Sequence, residues 1–490
     1  MANEEVKIEK IDGTFIKVHC ENSVAKELSD YFTFKVPNSQ YSPAFKRRIW
    51  DGQIRLFNYF TRKIYTGLRN KIVQFCLDRH YDCKFENFKE EFFEDYKSFI
   101  NALPLYSDSG QIKLRDYQQR AVEMALDHKR SLLISPTGSG KSLIIYTILR
   151  YLLSKNKKIL VLVPTTSLVH QMRSDFIEYS GKDWNADKNI HIIYAGKDKE
   201  TTKPIAISTW QSVYDLPEKF FAEYDAVIGD ECHLFKAKSL VRLMNKLRNC
   251  HVRIGTTGTL DNIQVHKLVL EGLFGPPIRV TSTKDLIDNK VLSNLDINCI
   301  QLKYAKEECD TMKRKTYQEE IDYIISHERR NKVAEKLCAS LKGNTLVLFS
   351  QVQKHGLPFF ESIQKTCTDK KCYFISGMTD AEDREEIRKI VDKSENSILV
   401  ASYGTCSTGI NIKNIHNIIF LHPSKSVVRV LQSIGRGLRM SETKDRVMVF
   451  DLVDDLRHKK YKNHAFNHFL ERIKIYESES FSFNLVPIDL

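Results

Sequence analysis

The segment Ser135-Pro136-Thr137-Gly138-Ser139-Gly140-Lys141-Ser142 constrains this chain more than any other. It follows the apolar run LLI and precedes SLIIYTILRYLL, so a buried strand, a glycine-bearing turn and a buried helix succeed one another. That order makes a phosphate-binding loop. Gly138 and Gly140 let backbone amides approach an anion, the new helix presents its positive end, Lys141 reaches the terminal phosphates of ATP, and Ser142 is placed to ligate Mg2+. Ser135 stands where the motif usually has a first glycine, and the later glycines make the tight turn.

A loop of this kind needs a sheet behind it, and the flanking sequence supplies one. Continuous apolar runs recur as LLIS at 132, ILVLV at 159, IAIS at 205, AVIGD at 226 and VRIG at 252, a pattern of parallel strands buried on both faces. Helical spacing separates them, which predicts βαβ units and a doubly wound sheet. The rhythm restarts with TLVLFS at 345, YFIS at 373, SILVA at 397, NIIFL at 417 and RVMVFD at 446. The expected fold is therefore α/β, with two tandem lobes of doubly wound parallel sheet, an arrangement that resembles paired RecA-like (P-loop) lobes.

With 490 residues the chain is long enough for about three domains. Residues 1–105 follow a different pattern, with Asp51-Gly52 reading as a tight hairpin turn, KIYTGL as a strand and NKIVQFCLDRHY as a helix. We expect a small α+β N-terminal accessory domain there, lobe one over 106–285, linker helices and lobe two over 286–455, and a C-terminal helical extension over 456–490. Phe466, Phe469, Leu470, Ile473 and Tyr476 carry the helical spacing of that extension.

Hydrophobic residues at 42 % are ample for packed interiors and make disorder the wrong default. The excess of 75 Lys and Arg over 62 Asp and Glu, formal charge +13, suits a polyanionic partner without proving one. The eleven cysteines are scattered and read as reduced structural thiols; Cys367 and Cys372 alone cannot complete a zinc site. No apolar run approaches the roughly 18 residues that span a bilayer, and no leader pattern opens the chain, so the expected setting is cytoplasmic, with no membrane partner.

VIGDECH places Asp230 and Glu231 at the carboxyl end of a buried strand. Alone, such a pair is more often a solvated loop. Beside a phosphate loop it supplies a magnesium-organising acid, Asp230, and a base for the attacking water, Glu231.

With both motifs in place, the chain resembles the superfamily two (DEAD/DEAH-like) helicases over about 115–440. DECH at 230–233 is similar to their acidic box, and further matches follow in order. LRDYQQ at 114 resembles the adenine-contacting element, with Gln118 reading the base and Arg115 supporting it. VPTTSLVHQ at 163 and ISTWQS at 207 resemble motifs Ia and Ib, which implies backbone contacts to nucleic acid through Pro164, Thr165, Thr166, Thr209 and Gln211. Thr257 and Thr259, in TGT, resemble the motif that couples ATP to the strand track. LFSQVQ at 348 and STGIN at 407 resemble motifs IV and V; the resemblance assigns Ser350 and Thr405 to nucleic acid and Gly409 to ATP. In QSIGRGLR at 432, Gln432 senses phosphate or water, while Arg436 and Arg439 neutralise transition-state charge. Seven or more ordered matches leave little room for coincidence.

The resemblance implies an ATP-dependent motor in which lobe closure drives stepping along a strand. Across the whole chain it is similar to recombination helicases of tailed bacteriophages, which implies 3'-5' unwinding and branch migration of forks, four-way junctions and displacement loops with RNA–DNA hybrids, alongside other recombination or replication proteins. Three other readings stand beside it: a duplex DNA translocase without strand separation, an RNA helicase, and a nucleotide-controlled clamp without turnover. Lys46, Arg47 and Arg48 precede Trp50 in a basic, aromatic stretch, and we expect them to contact phosphates. Trp50, Phe57 and Tyr65 are better read as the core of the small domain.

Overall fold

The computed structural model describes residues 4–37, 39–88, 93–107, 110–234, 238–258, 264–409, 412, 414–423, 435 and 446–490. The chain divides into two compact units, Met1–Ser135 with Gly140–Val280, and Pro136–Ser139 with Thr281–Leu490.

The first unit opens with β1 (Glu5–Lys10), β2 (Phe15–His19), β3 (Thr33–Lys35), β4 (Gln53–Arg55), β5 (Lys63–Tyr65) and β6 (Asp82–Glu86). Four of these form a mixed sheet in the order β5-β2-β1-β6. The helices Asn22–Tyr31 and Arg69–Asp78 share its core, where Val24, Leu28, Ile72 and Phe75 meet Val6, Ile8 and Ile16. The backbone does bend at Asp51-Gly52, with Gly52 at φ +76°, but not as the two-residue hairpin expected there. It leads into β4, whose antiparallel partner β3 lies upstream of a short helix, Pro43–Lys46. A small hairpin, β7 (Leu105–Ser107) and β8 (Gly110–Ile112), follows.

Seven strands then build the first parallel sheet: β9 (Arg130–Ile134), β10 (Ile159–Val163), β11 (Ile190–Ile193), β12 (Ile205–Thr209), β13 (Ala226–Gly229), β14 (Val252–Thr257) and β15 (Pro277–Arg279). Their order is β11-β12-β10-β13-β14-β9-β15. All five residues of β10, ILVLV, are buried, as a strand covered on both faces demands. At about 1.5–3 kcal/mol per buried aliphatic side chain, such runs supply most of the drive for the sheet. The helix Lys141–Ser154 buries nine of its residues, Leu143 to Leu152 among them, on one side of it.

The small domain is bolted to this sheet. Gly13 N–H donates to Arg248 O at 2.6 Å, and Arg253 on β14, wholly buried, donates to Thr14 Oγ1 and Leu247 O, each at 2.6 Å. Arg130 donates to Gly13 O. A Cβ on Gly13 would stand 2.4 Å from Cys250 O, so only glycine permits this approach.

The second unit repeats the architecture with β16 (Asn294–Lys303), β17 (Thr345–Phe349), β18 (Lys371–Ile375), β19 (Ser397–Ser402), β20 (Asn417–Phe420), β21 (Arg446–Asp455) and β22 (Phe483–Asp489), all parallel, in the order β18-β19-β17-β20-β21-β16-β22. The segment expected to hold linker helices contains β16 as well as three helices between Lys306 and Ser340. After the helix His464–Ser478 the chain adds β22 as an edge strand beside β16.

Candidate active site

Parallel α/β sheets carry their chemistry at the carboxyl ends of strands, and three such ends lie side by side here, those of β9, β14 and β13. Register fixes them: Thr257 pairs with Ile134, and Gly255 with Gly229. The phosphate loop leaves β9, Asp230 and Glu231 leave β13, and the Thr256-Thr257 pair of β14 stands between.

Within the loop, Ser135 N–H donates to Thr257 O at 2.8 Å, and Ser139 donates its hydroxyl to Pro136 O at 2.7 Å. Gly138 and Gly140 adopt φ +86° and +82°, the left-handed region that glycine enters without strain. Gly140 precedes the helix Lys141–Ser154, whose N-terminus has no side-chain cap. Thr137 lies in the turn, and Ser142 in the first helical turn is half-buried.

Lys141 Nζ donates to Ser135 O at 3.2 Å and stands 3.8 Å from Glu231 Oε1. Glu231 itself sits at φ +52°, a left-handed conformation uncommon for a side-chain-bearing residue and costing about 1–3 kcal/mol. Such strain persists where the surrounding structure imposes it.

Asp230 is buried and accepts from Thr256 Oγ1 at 2.6 Å. Burial, reinforced by the Glu231 carboxylate, pushes its carboxyl above the usual carboxylate range, against the pull of Lys141 and Thr256. His233 Nδ1 lies 3.1 Å from Thr257 Oγ1 and 3.4 Å from Glu231 Oε2, linking the acidic box to β14. The sequence reading missed Thr256 as the partner of Asp230 and gave His233 no role. Their signals were their neighbours: Thr256 adjoins Thr257, and His233 closes DECH.

Gln118 is only 1 % exposed, with Oε1 accepting from Arg115 N–H at 2.9 Å, and its Nε2 lies 2.4 Å from where a Cβ on Gly140 would stand. Its amide therefore closes the start of the helix Asp116–His128 against the phosphate loop, while Arg115 is exposed.

The expected nucleic-acid contacts cluster at the ends of β10 and β12, which are neighbours. Gln211 donates its amide to Pro164 O at 3.2 Å, Thr165 caps the helix Thr166–Ser180 by accepting from Leu168 N–H, and Thr209 Oγ1 meets Ser212 Oγ at 2.8 Å. In the second unit Ser350 is exposed after β17, whereas Thr405 is buried with its hydroxyl 2.7 Å from Ser402 Oγ. Gly409 ends the helix Tyr403–Gly409. Lys46, Arg47 and Arg48 are all exposed. Thr259, Gln432, Arg436 and Arg439 lie outside the described residues.

Known proteins share this arrangement. The description "DNA helicase UvsW, N-terminal" matches residues 5–86, "Type III restriction enzyme, res subunit" residues 111–262, and "Helicase conserved C-terminal domain" residues 328–441. The ATP-dependent DNA helicase uvsW of Enterobacteria phage T4 is 34 % identical over 505 residues, covering 99 % of this chain and all of that one. Its crystal structure matches with a TM-score of 0.52 at 32 % identity, over 99 % of each chain. The DNA 3'-5' translocase XPB2 of Sulfurisphaera tokodaii is 23 % identical over 446 residues, 84 % of this chain and 93 % of its own. Two parallel-sheet lobes with a phosphate loop and a DECH box define a superfamily two helicase. Within that class the chain belongs to the UvsW family of ATP-dependent helicases.

Proposed function

We propose that the chain hydrolyses ATP to unwind and branch-migrate branched DNA, including forks, four-way junctions and R-loops, with 3'-5' polarity, in recombination, repair and replication restart. The observation that carries the DNA reading is that the likeness to the phage T4 DNA helicase runs through the small domain as well as the motor.

The domain division expected from the sequence, at 105, 285 and 455, goes with this reading. In the hydrolytic step Lys141 binds the terminal phosphates, Glu231 orients and deprotonates water, and Gln432, Arg436 and Arg439 respond to and neutralise charge on the transferring phosphoryl group. Gln118, Arg115, the loop 135–142 and Gly409 hold the nucleotide. Thr257 and Thr259 couple it to the strand contacts at Pro164, Thr165, Thr166, Thr209, Gln211, Ser350 and Thr405.

A divalent cation fits the donor set. Ser142 and Asp230 offer hard oxygen ligands, and a buried carboxyl raised by a second carboxylate gains from a cation's charge. Among the described residues no group of three or more His, Cys, Asp or Glu is set to hold a metal, which suits Mg2+ held by one or two protein oxygens with phosphate and water completing the shell. Bound there, the ion supplies Lewis acidity toward the phosphates.

Duplex translocation without strand separation is a second reading, favoured by the likeness to the S. tokodaii translocase. Among the described residues no helix is long and apolar enough to cross a membrane, and we place the activity in the cytoplasm, that of the host if the chain is viral. ATPase and unwinding measured side by side on single-stranded DNA, a fork, a four-way junction and an RNA–DNA hybrid test the proposal. Unwinding greatest on the branched DNAs supports it; ATP turnover on duplex without strand separation favours the translocase, and preference for RNA overturns the DNA reading.

A further inference from the structure

The small domain and the first parallel sheet enclose a cavity of about 530 Å³ that none of the motor motifs uses. It lies at the starts of β9, β10, β13, β14 and β15, marked by Arg130, Lys157, Asp225, Val252 and Pro276, and so at the end of the sheet opposite the phosphate loop.

Among the described residues, five cationic side chains, Lys10, Arg69, Lys129, Arg130 and Lys157, line it against two carboxylates. Both carboxylates are engaged. Asp127 accepts from Tyr96 Oη at 2.6 Å, and Asp225 accepts from Lys158 N–H at 2.8 Å and pairs with Lys157 Nζ at 3.8 Å. Arg69 and Lys129 lie over the rings of Phe88 and Phe93, at 5.3 and 5.1 Å from their centroids, which fixes their charges at the wall.

Two polar groups among the lining residues have no hydrogen-bond partner among the described residues. Thr66 is 8 % exposed with no hydrogen-bond partner for its Oγ1, and Arg130 NH1 is buried and likewise unpaired. Arg130 and the buried Arg253 have carbonyl and hydroxyl oxygens as their hydrogen-bond partners and form no ion pair among the described residues. Burial and the adjoining Arg253 press the Arg130 guanidinium down to about 9, still charged at neutral pH. Gly67, Arg69 and Asn70, where the ten-residue helix Arg69–Asp78 begins without a side-chain cap, complete that side.

A solvated crevice does not explain unpaired buried donors beside gathered positive charge, whereas an anion satisfies both. The geometry points to a phosphate-bearing ligand, no larger than a nucleotide, bound in this cavity at the seam between the small domain and the first sheet. A nucleic-acid backbone phosphate and a free nucleotide share that chemistry. The inference does not depend on which substrate the motor unwinds.

The test uses the full chain carrying Lys141→Ala, which weakens the phosphate loop, with pyrophosphate as probe in calorimetric titration. Saturable one-to-one binding is expected, weakened at least tenfold by Arg69→Gln with Lys157→Gln and several-fold by the near-isosteric Thr66→Val, each variant checked for native circular dichroism. Displacement by a short DNA duplex assigns the site to backbone phosphate, and displacement by AMP to a free nucleotide. Absence of saturable binding, or equal binding by natively folded Thr66→Val and the charge variant, overturns the inference.

Discussion

At the residue scale, the candidate site combines charge held at close quarters with backbone strain. Lys141 and Glu231 are 3.8 Å apart, and Glu231 holds a left-handed backbone. If Glu231 is the base, Glu231→Gln keeps shape and phosphate contacts but loses proton acceptance. ATP turnover should fall by about 10²–10⁴ while nucleotide still binds, and Lys141→Ala should lose both. Turnover and equilibrium binding of a fluorescent ATP analogue check this; brisk hydrolysis by either variant removes the assignment. Asp230 gives a second expectation. Its folded carboxyl is raised by burial and by Glu231, so its ionisation opposes folding, and that cost grows as pH rises from the ordinary carboxylate range to the folded value. Asp230→Asn removes the cost while its oxygen still accepts from Thr256. Without nucleotide or Mg2+, the variant should melt higher than the parent at pH 7, the advantage vanishing near pH 4, and it should not turn over ATP. Melting curves at the two pH values decide it. The phosphate loop and acid box were legible in the sequence because their spacing relative to strand ends is chemistry written locally. Thr256 was not, since its partnership with Asp230 depends on which strand β14 neighbours.

At the element scale, legibility followed burial. Runs such as ILVLV and SILVA announce strands covered on both faces, and they are β10 and β19. By contrast β15 has three residues, β16 mixes polar and apolar residues in NLDINCIQLK, and β22 is largely exposed, so none carries a strong signal. The Asp51-Gly52 turn was misread because turn residues do not say which strands they join. What holds the tail helix also escapes sequence reading. Arg472 donates to both oxygens of Asp451 at 2.8 Å, Tyr476 Oη joins at 3.0 Å, and Glu320 accepts from the helix's first amides, His464 and Ala465. The Arg472–Asp451 pair is fully buried. Removing one partner strands the other, so Arg472→Met should cost about 3–5 kcal/mol, whereas Arg472→Met with Asp451→Leu should recover much of it. Urea denaturation of both variants measures this, and equal destabilisation of the two would show that packing, not the orphaned charge, sets the cost.

At the scale of the whole molecule, the excess of positive charge, +13, acts on a polyanion mainly through where it is exposed. Lys46, Arg47 and Arg48 form one exposed run on the small domain, next to Ile49 at 75 % exposure, and Phe60 stands 89 % exposed on the same domain. Phe57 is buried in the small domain's core and Tyr65 packs against it, whereas Trp50 is half-buried outside that core, its Nε1 donating to Gln53 O at 2.7 Å. Phosphate contacts release counterions, and each contact on duplex DNA adds about 0.9 to the slope of log affinity against log salt. Replacing Lys46, Arg47 and Arg48 together with glutamine should therefore lower branched-DNA affinity and flatten that slope by up to about three units. Basal ATPase should change far less, because the run is remote in sequence from the loop at 135–142 and the box at 230–233. Fluorescence anisotropy across a salt series separates the possibilities. A parallel displacement of the line, with its slope intact, would mean that these side chains shape the domain without touching phosphate, and the DNA contact would have to be sought on another face.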